Sequence, residues 1–440
     1  VALAAGLGWG IRGDFGHLLG ASYPGAALGL AFAFVTGQAS MFRWMPIVGA
    51  AGGIGIAMGG MMSYGMLHGY AQSDTLINYG YGFLTLFLEG GAWGGFGGAL
   101  IALALESPRL RMTEWATALA ATLASGFVFH FIVCGLFGFE INPSRGNETI
   151  AFTGGIIGLC TWLVLSGKSF GFKGLLFGYV GFGIGMSLGR LFGNIAHVLP
   201  IEINHWNVME TSCGLIGGFT YAYGMLGRKF EDPPKTLVYK ALSVFGILYV
   251  MAGIPLFHRL LRAKPEDVLE HVTAAAGSMK VTNPEAFSQS ILLAINVVCI
   301  LGFVGGAIWL YLNFNDKTRF AAFPVLAFSG VMLLFQEINC LYPFVPTTRL
   351  TVDMHTVFLV LYALMVGFVV FWRPTEQTVS DKLAFSVNWR RWVGGTVVVY
   401  ILILIAASFI NGDKTMTTAN TRWPIWSWNK GPFPGREAAK

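Results

Sequence analysis

Residues 49–60 read GAAGGIGIAMGG and residues 89–98 read EGGAWGGFGG; about 128 positions after the first, residues 181–190 read GFGIGMSLGR. Gly55, Met58 and Gly65 fall on Gly183, Met186 and Gly193 at one offset of 128, and Gly25 and Gly29 fall on Gly154 and Gly158 at 129. In each copy a glutamate precedes a glycine series. Glu89 leads into Gly90, Gly94 and Gly98, and Glu210 into Gly214, Gly217 and Gly218. An Arg-Gly pair stands upstream of each, Arg12-Gly13 and Arg145-Gly146. The pattern reads as an internal duplication of a four-helix membrane unit.

The glycines have a physical use. Lipid tails are as apolar as leucine, so helices in a membrane associate by close backbone approach, which small residues permit. Gly49 and Gly53, Gly55 and Gly59, the series Gly90, Gly94, Gly98 and the series Gly181, Gly185, Gly189 recur every four residues. That spacing keeps each series on one helix face.

Composition supports a membrane setting. Of the 440 residues 55% are hydrophobic and 11% charged, with mean hydropathy +0.62. Soluble domains carry about 25% charged residues. The chain therefore reads as an all-α, polytopic membrane protein whose first partner is the lipid bilayer. Its net charge of +6 implies no nucleic-acid partner, because Lys and Arg in such chains gather in cytoplasmic loops. The five cysteines stand singly in apolar runs with no CxxC or Cys/His spacing, which argues for structural thiols and against a zinc site.

Apolar runs of spanning length lie near 20–37, 46–66, 76–105, 112–138, 149–167, 174–192, 206–226, 236–257, 287–312, 320–340, 354–372 and 392–411. The run 1–10 is too short to span and reads as the tail of a helix or a re-entrant segment. Connections after the odd-numbered spans carry Arg43, Arg109, Arg111, Lys168, Lys173, Arg228, Lys229, Lys235, Lys317, Arg319, Arg373, Lys382, Arg390 and Arg391. Short connections on the other face carry Arg145, Arg190 and Arg349. The basic face is expected to be cytoplasmic, with both termini extracytoplasmic, in a cell (inner) membrane. Repeat A takes 1–138 and repeat B 139–257. An extracytoplasmic connection takes 258–286, a C-terminal four-helix domain 287–411, and an extracytoplasmic Trp/Pro-containing tail 412–440. Within the connection, 264–277 reads as a short amphipathic helix with Val268, Leu269 and Val272 on its apolar side. Asn283-Pro284-Glu285 reads as the next helix start. The tail and the segment 258–286 are also candidate surfaces for protein partners. For the tail, with Trp423, Trp426 and Trp428, the membrane interface is the favoured resting place.

All eight histidines fall on or near the face opposite the basic loops. So do Arg12, Asp14, Arg145, Arg190, Asn194, Glu202, Glu210, Glu337 and Asp353, whereas Glu89 lies nearer the membrane middle. Charged residues inside spans commonly face a cavity, so a polar cavity open to the extracytoplasmic side is the expected site. Arg12, Asp14 and His17 in GIRGDFGH (10–17), together with Arg145, Arg190, Asn194 and His197, are the candidate solute-binding residues. An Arg12–Asp14 pair that merely holds the turn is an equal reading of that motif. Glu89, Glu210 and Glu337 are the candidates for proton coupling or gating. His197, Glu202 and His205 have an irregular spacing that argues against a metal site. The chain shows no phosphate-binding loop, dinucleotide fingerprint or hydrolase motif, so no cofactor and no catalytic residue is expected. The favoured function is a permease or channel-like secondary transporter for a small polar solute, an anion being one case the arginines suit. The alternative is a non-catalytic integral subunit of a larger membrane complex. A membrane-embedded enzyme using His and carboxylate groups ranks last.

Overall fold

The computed structural model describes residues 1–60, 62, 64–142, 147–200, 202–342, 351–371, 385–411 and 419–423. In chain order its helices are α1 (Ala2–Arg12), α2 (His17–Gly20), α3 (Ser22–Val35), α4 (Ala39–Gly59), α5 (Gly65–Ala71), α6 (Leu76–Glu106), α7 (Met112–His130), α8 (Glu148–Leu165), α9 (Ser169–Val198), α10 (His205–Met225), α11 (Leu237–Leu248), α12 (Ile254–Arg262), α13 (Pro265–Met279), α14 (Pro284–Phe314), α15 (Ala322–Asn339), α16 (Met354–Phe371) and α17 (Phe385–Asn411). π-helical turns extend α7 and join α11 to α12. One short parallel pairing joins Glu202–Ile203 to Thr351–Val352.

Ten of the described helical segments are long and apolar enough to cross a membrane. The fold is that of a helical, polytopic membrane protein. The sequence leads one to expect twelve spans, and a helix stands at each of the twelve places, but two fall short. α3 has 14 residues, about 21 Å of helix against a hydrocarbon core of about 30 Å. Every residue of α3 is buried, so it is an internal helix. α10 has 21 residues but carries Asn207, Glu210, Thr211 and Ser212, polar groups that lower its hydropathy. A second shift concerns the expected span 46–66. The helix runs instead from Ala39 to Gly59, and the chain then turns and starts α5. Gly65 therefore opens a short helix, while Gly193, its match at the 128 offset, lies inside α9.

Six helices close into a ring in the order α1, α3, α4, α6, α9, α10, with α10 returning to α1. Glycine sets each contact. On α6 and α9, Gly94 faces Gly178 and Gly98 faces Gly174, so closely that a Cβ at any of these would collide with the opposing carbonyl. Gly90 continues the line, where a Cβ would lie 2.5 Å from the Phe182 carbonyl oxygen. The reversed pairing order makes the two helices antiparallel. Gly185 and Gly189 do the same for α9 against the Cys213 and Met209 carbonyls of α10. Not every glycine is so placed. A Cβ at Gly80, on the outer part of α6, meets nothing within 4 Å. Gly80→Ala is accordingly expected to be neutral or to stabilise by up to about 1 kcal/mol through helix propensity, read as a thermal melt beside wild type.

Outside the ring, the α7–α8 hairpin leaves Leu119, Leu123, Phe127 and Phe131 exposed, as a lipid-facing surface would. α13 lays Val268 and Val272 against α14, both buried, so the expected apolar stripe rests on the bundle. This helix runs past Gly277 to Met279, where Lys280 takes a left-handed conformation (φ 56). Asn283 caps α14 by accepting from the Ala286 amide at 3.1 Å. At the basic end, residues 226–236 fold back over α4 and α6. Arg43 bridges Asp232 (2.6 Å) and Asp316 (3.1 Å), and the Trp44 indole donates to the Glu231 carbonyl (2.8 Å).

Candidate functional site

The site begins with α1 and α10, which pack antiparallel because Gly214 and Gly218 admit the Ala5 backbone and side chain. That register carries Arg12, at the end of α1, to Glu210 on α10. Arg12 Nη2 donates to Glu210 Oε1 at 2.9 Å, and both side chains are buried. The Tyr64 hydroxyl, just ahead of α5, donates to the same oxygen at 2.7 Å. Gly13 makes room for the carboxylate, since a Cβ there would sit 2.7 Å from Glu210 Oε2. The guanidinium is enclosed by aromatic faces: Trp93 at 4.6 Å, Tyr64 at 5.0 Å and Trp9 at 5.7 Å. Cation–π contact of this kind partly offsets the desolvation of a buried cation. Arg12 thus finds its carboxylate 198 residues away in Glu210. The Asp14 and His17 side chains lie outside the described ones.

A second buried guanidinium stands nearby. Arg190 is 0% exposed, and its Nε donates to Asn194 Oδ1 one turn on, at 2.7 Å. Asn194 Nδ2 in turn donates to the Ala71 carbonyl and to Asn411 Oδ1, both at 3.0 Å. Nη1 and Nη2 of Arg190, like Nε and Nη1 of Arg12, have no hydrogen-bond partner among the described residues. Arg190 is therefore buried, which its position at the end of a span did not by itself require.

His68 joins the two. Its ring lies 5.0 Å from Tyr64, which also touches Arg12, and 5.0 Å from Trp206, whose ring faces Arg190 at 5.9 Å. Neither imidazole nitrogen has a partner among the described residues. Burial, then the charges of Arg190 and Arg12, hold His68 well below the ordinary histidine range and hence neutral. The consequence for stability has a definite sign. Below the unfolded value near 6.5 the unfolded chain binds the proton and the folded chain does not, so stability falls on acidification. The slope is about 1.4 kcal/mol per pH unit. His68→Gln is expected to remove that contribution, seen as a smaller difference in melting temperature between pH 5 and pH 8.

Glu89, on α6, is 0% exposed, and neither oxygen has a hydrogen-bond partner among the described residues. Its charged neighbours are Arg12 and Glu148. His197 and His205 stack edge to face at 5.2 Å beside Trp206. No group of three or more His, Cys, Asp or Glu among the described residues could hold a metal. Glu337 does not join this cluster. It sits on α15 with Oε2 2.9 Å from His355 Nδ1, an arrangement that ties α15 to α16. Arg145 lies outside the described residues.

The site differs from the open cavity expected. Arg12, His68, Glu89, Arg190 and Asn194 are at most 1% exposed, so the cluster is sealed. The seal is α5, which lays Tyr64 and His68 against it, and the end of the chain holds α5 down. Asn411 Nδ2 donates to the Ala71 and Ser73 carbonyls at 2.8 and 2.9 Å, and the Asn420 amide donates to the Gly69 carbonyl at 2.9 Å. Asn78 Oδ1 accepts from the amides of Arg422 (2.7 Å) and Trp423 (2.9 Å). The described part of the tail thus docks on its own chain, where composition had suggested the membrane interface; Trp426 and Trp428 lie outside the described residues. A cavity of about 170 Å³ lined by Trp44, Glu106, Arg109, Arg228 and Glu231 belongs to the basic end, away from the cluster.

Sequence reasoning named Arg12, Glu89, Arg190, Asn194 and Glu210 but missed Tyr64, His68, Thr211, Trp206 and Asn411. The spacing of Tyr64 and His68 puts both on one face of a short helix, a signal hidden by reading 46–66 as a single span. No family model, curated protein or solved structure matches the chain.

Proposed function

We propose that the chain is a permease, a channel-like secondary transporter that carries a small polar solute across the inner membrane. The sealed cluster would be its binding site, open in turn to the two sides. One observation carries this reading. Two buried guanidiniums keep four nitrogen atoms without a partner among the described residues, and a buried carboxyl beside one of them keeps two oxygens so. Removing one partner of a buried charge pair costs about 3–5 kcal/mol, so a protein built only for stability would complete these groups or omit them. A solute that completes them gives them a use.

The surroundings support movement. Helices that touch through glycine backbones have few interlocked side chains to disengage, and α5 is held by hydrogen bonds that can open. The two glycine-rich copies, taken as parallel four-helix repeats about an axis along the membrane normal, would rock against each other around the site. The basic loops are the reason for taking their face as the cytoplasmic one, with α5 and the docked segment 419–423 on the outer side. Glu89 and Glu210 would serve in proton coupling or gating.

Purified protein in liposomes is expected to give saturable uptake of at least one solute from a panel of small anions and sugars. Glu89→Gln is expected to abolish the pH dependence of that uptake while the protein remains folded. Unchanged pH dependence removes the coupling role, and no saturable flux for any solute argues for a subunit of a larger assembly.

A further inference from the structure

Within the sealed cluster, the partners of the two arginines differ in a way that specifies a ligand. The charge of Arg12 is matched by Glu210 at 2.9 Å. Arg190 has no carboxylate within hydrogen-bonding reach among the described residues; its one side-chain partner there, Asn194, is neutral and takes Nε. What remains is the end-on pair Nη1 and Nη2, two donors side by side in one plane. Such a fork matches two oxygens of a planar anion in parallel hydrogen bonds. Gly193 leaves the guanidinium free of a side chain on its own helix, since a Cβ there would come within 3.2 Å of Nη2. The Trp206 ring provides an apolar wall shared by Arg190 and His68. His68, on the same Trp206 ring and with both nitrogens lacking a partner among the described residues, has an N–H to offer.

We propose that Arg190, with His68 beside it, binds one monovalent anion bearing two in-plane oxygens, a carboxylate or a nitrate-like ion, as the solute of this permease. The charge count sets the valence. Among the described residues, and with the buried Glu89 carboxyl in its neutral form, one cation lacks a counter-ion while the other is already paired with Glu210, so a single negative charge brings the site to neutrality and a second would remain buried and uncompensated. The planar fork sets the shape, because a spherical ion can meet the two donors but not along two parallel bonds. This rests on the permease reading for the word solute, though not for the site.

Titration of acetate, nitrate, chloride and sulfate into the purified full chain in detergent, followed by calorimetry and by thermal protection, tests it. Acetate or nitrate is expected to bind and to protect, more strongly than chloride and more strongly than sulfate. Arg190→Gln is expected to abolish binding. Arg190→Lys, which keeps the charge and loses the fork, is expected to weaken acetate by about tenfold or more. Should Arg190→Gln not fold, Arg190→Lys and His68→Gln are compared with wild type instead, and acetate affinity unchanged from wild type in both overturns the proposal. It is also overturned by a wild type that prefers chloride or sulfate, or that binds none of the four. Acetate binding that depends on Arg190 with no flux in liposomes leaves the site standing and removes the permease. Flux of an uncharged solute with no anion binding does the reverse.

Discussion

Glu210→Ala is expected to destabilise the protein by about 3–5 kcal/mol, the usual result of leaving one member of a buried ion pair alone. Arg12 is 1% exposed and, among the described residues, makes its one side-chain ion pair with Glu210. After the substitution its guanidinium would face Trp9, Tyr64 and Trp93 with a positive charge and no hydrogen-bond acceptor among the described residues. The Tyr64 hydroxyl would lose the acceptor it now reaches at 2.7 Å. The loss should not be read as the worth of the pair, since the pair's own desolvation cost offsets much of its attraction. A double variant separates the two. Arg12→Met with Glu210→Met removes both charges at similar volume and is expected to recover most of the stability while abolishing any flux. A double variant as unstable as Glu210→Ala alone would mean that the residues matter for packing and not for their charges. Unfolding in denaturant, followed by intrinsic tryptophan fluorescence, supplies the comparison.

Gly178→Ala is expected to be as damaging by a different route. Its Cβ would run into the Gly94 carbonyl oxygen and carbon across the α6–α9 contact. The obstacle is backbone in a regular helix, so no rotamer change relieves it and the helices must separate. Over-packing typically costs about 1–3 kcal/mol and occasionally more; a collision with fixed backbone belongs at the top of that range. The contact runs through Gly90, Gly94 and Gly98 on one side and Gly174 and Gly178 on the other, so displacement at one point disturbs the whole line. Gly80→Ala on the same helix pair is the control. A Gly178→Ala protein that melts with wild type would show that the helices do not meet at these glycines.

Much of this architecture is legible in the sequence, because in a membrane the rules are few. Backbone groups must be satisfied internally, which makes apolar runs helices, and small residues at four-residue spacing mark where helices touch. Gly90, Gly94, Gly98, Gly185 and Gly189 are read correctly on that ground alone. What fails is punctuation. Met58 to Met66 reads as part of one span, yet the helix stops at Gly59 and a new one starts at Gly65, which moves Tyr64 from a span to a seal and sets His68 on the same short helix. α3 looks like a span until its length and full burial place it inside the bundle. The site is half legible for a related reason. A charge in an apolar run announces itself, so Arg12, Glu89, Arg190 and Glu210 stand out. Pairing is not announced, because Arg12 and Glu210 meet through helix register, and Asp14 is the nearer carboxylate in sequence. Glu337 satisfies the same sequence rule and turns out to belong to a different contact, with His355.

Transport through the sealed cluster requires that it open to both sides of the membrane. Thr211 reports on this directly. It lies beside Glu210 on α10, is buried, and turns its hydroxyl toward Gly10 with no hydrogen-bond partner among the described residues. Thr211→Cys, close to it in size, would be made in a protein whose five native cysteines are replaced by serine or alanine. A membrane-impermeant maleimide is then applied to right-side-out and to inside-out vesicles, with and without acetate or nitrate. Slow labelling is expected from each side, faster from the side of α5 when Asn411→Ala loosens the seal, with protection by the anion. A folded Thr211→Cys protein whose introduced thiol is never labelled from either side would contradict that opening, and the cluster would then be a fixed part of the core.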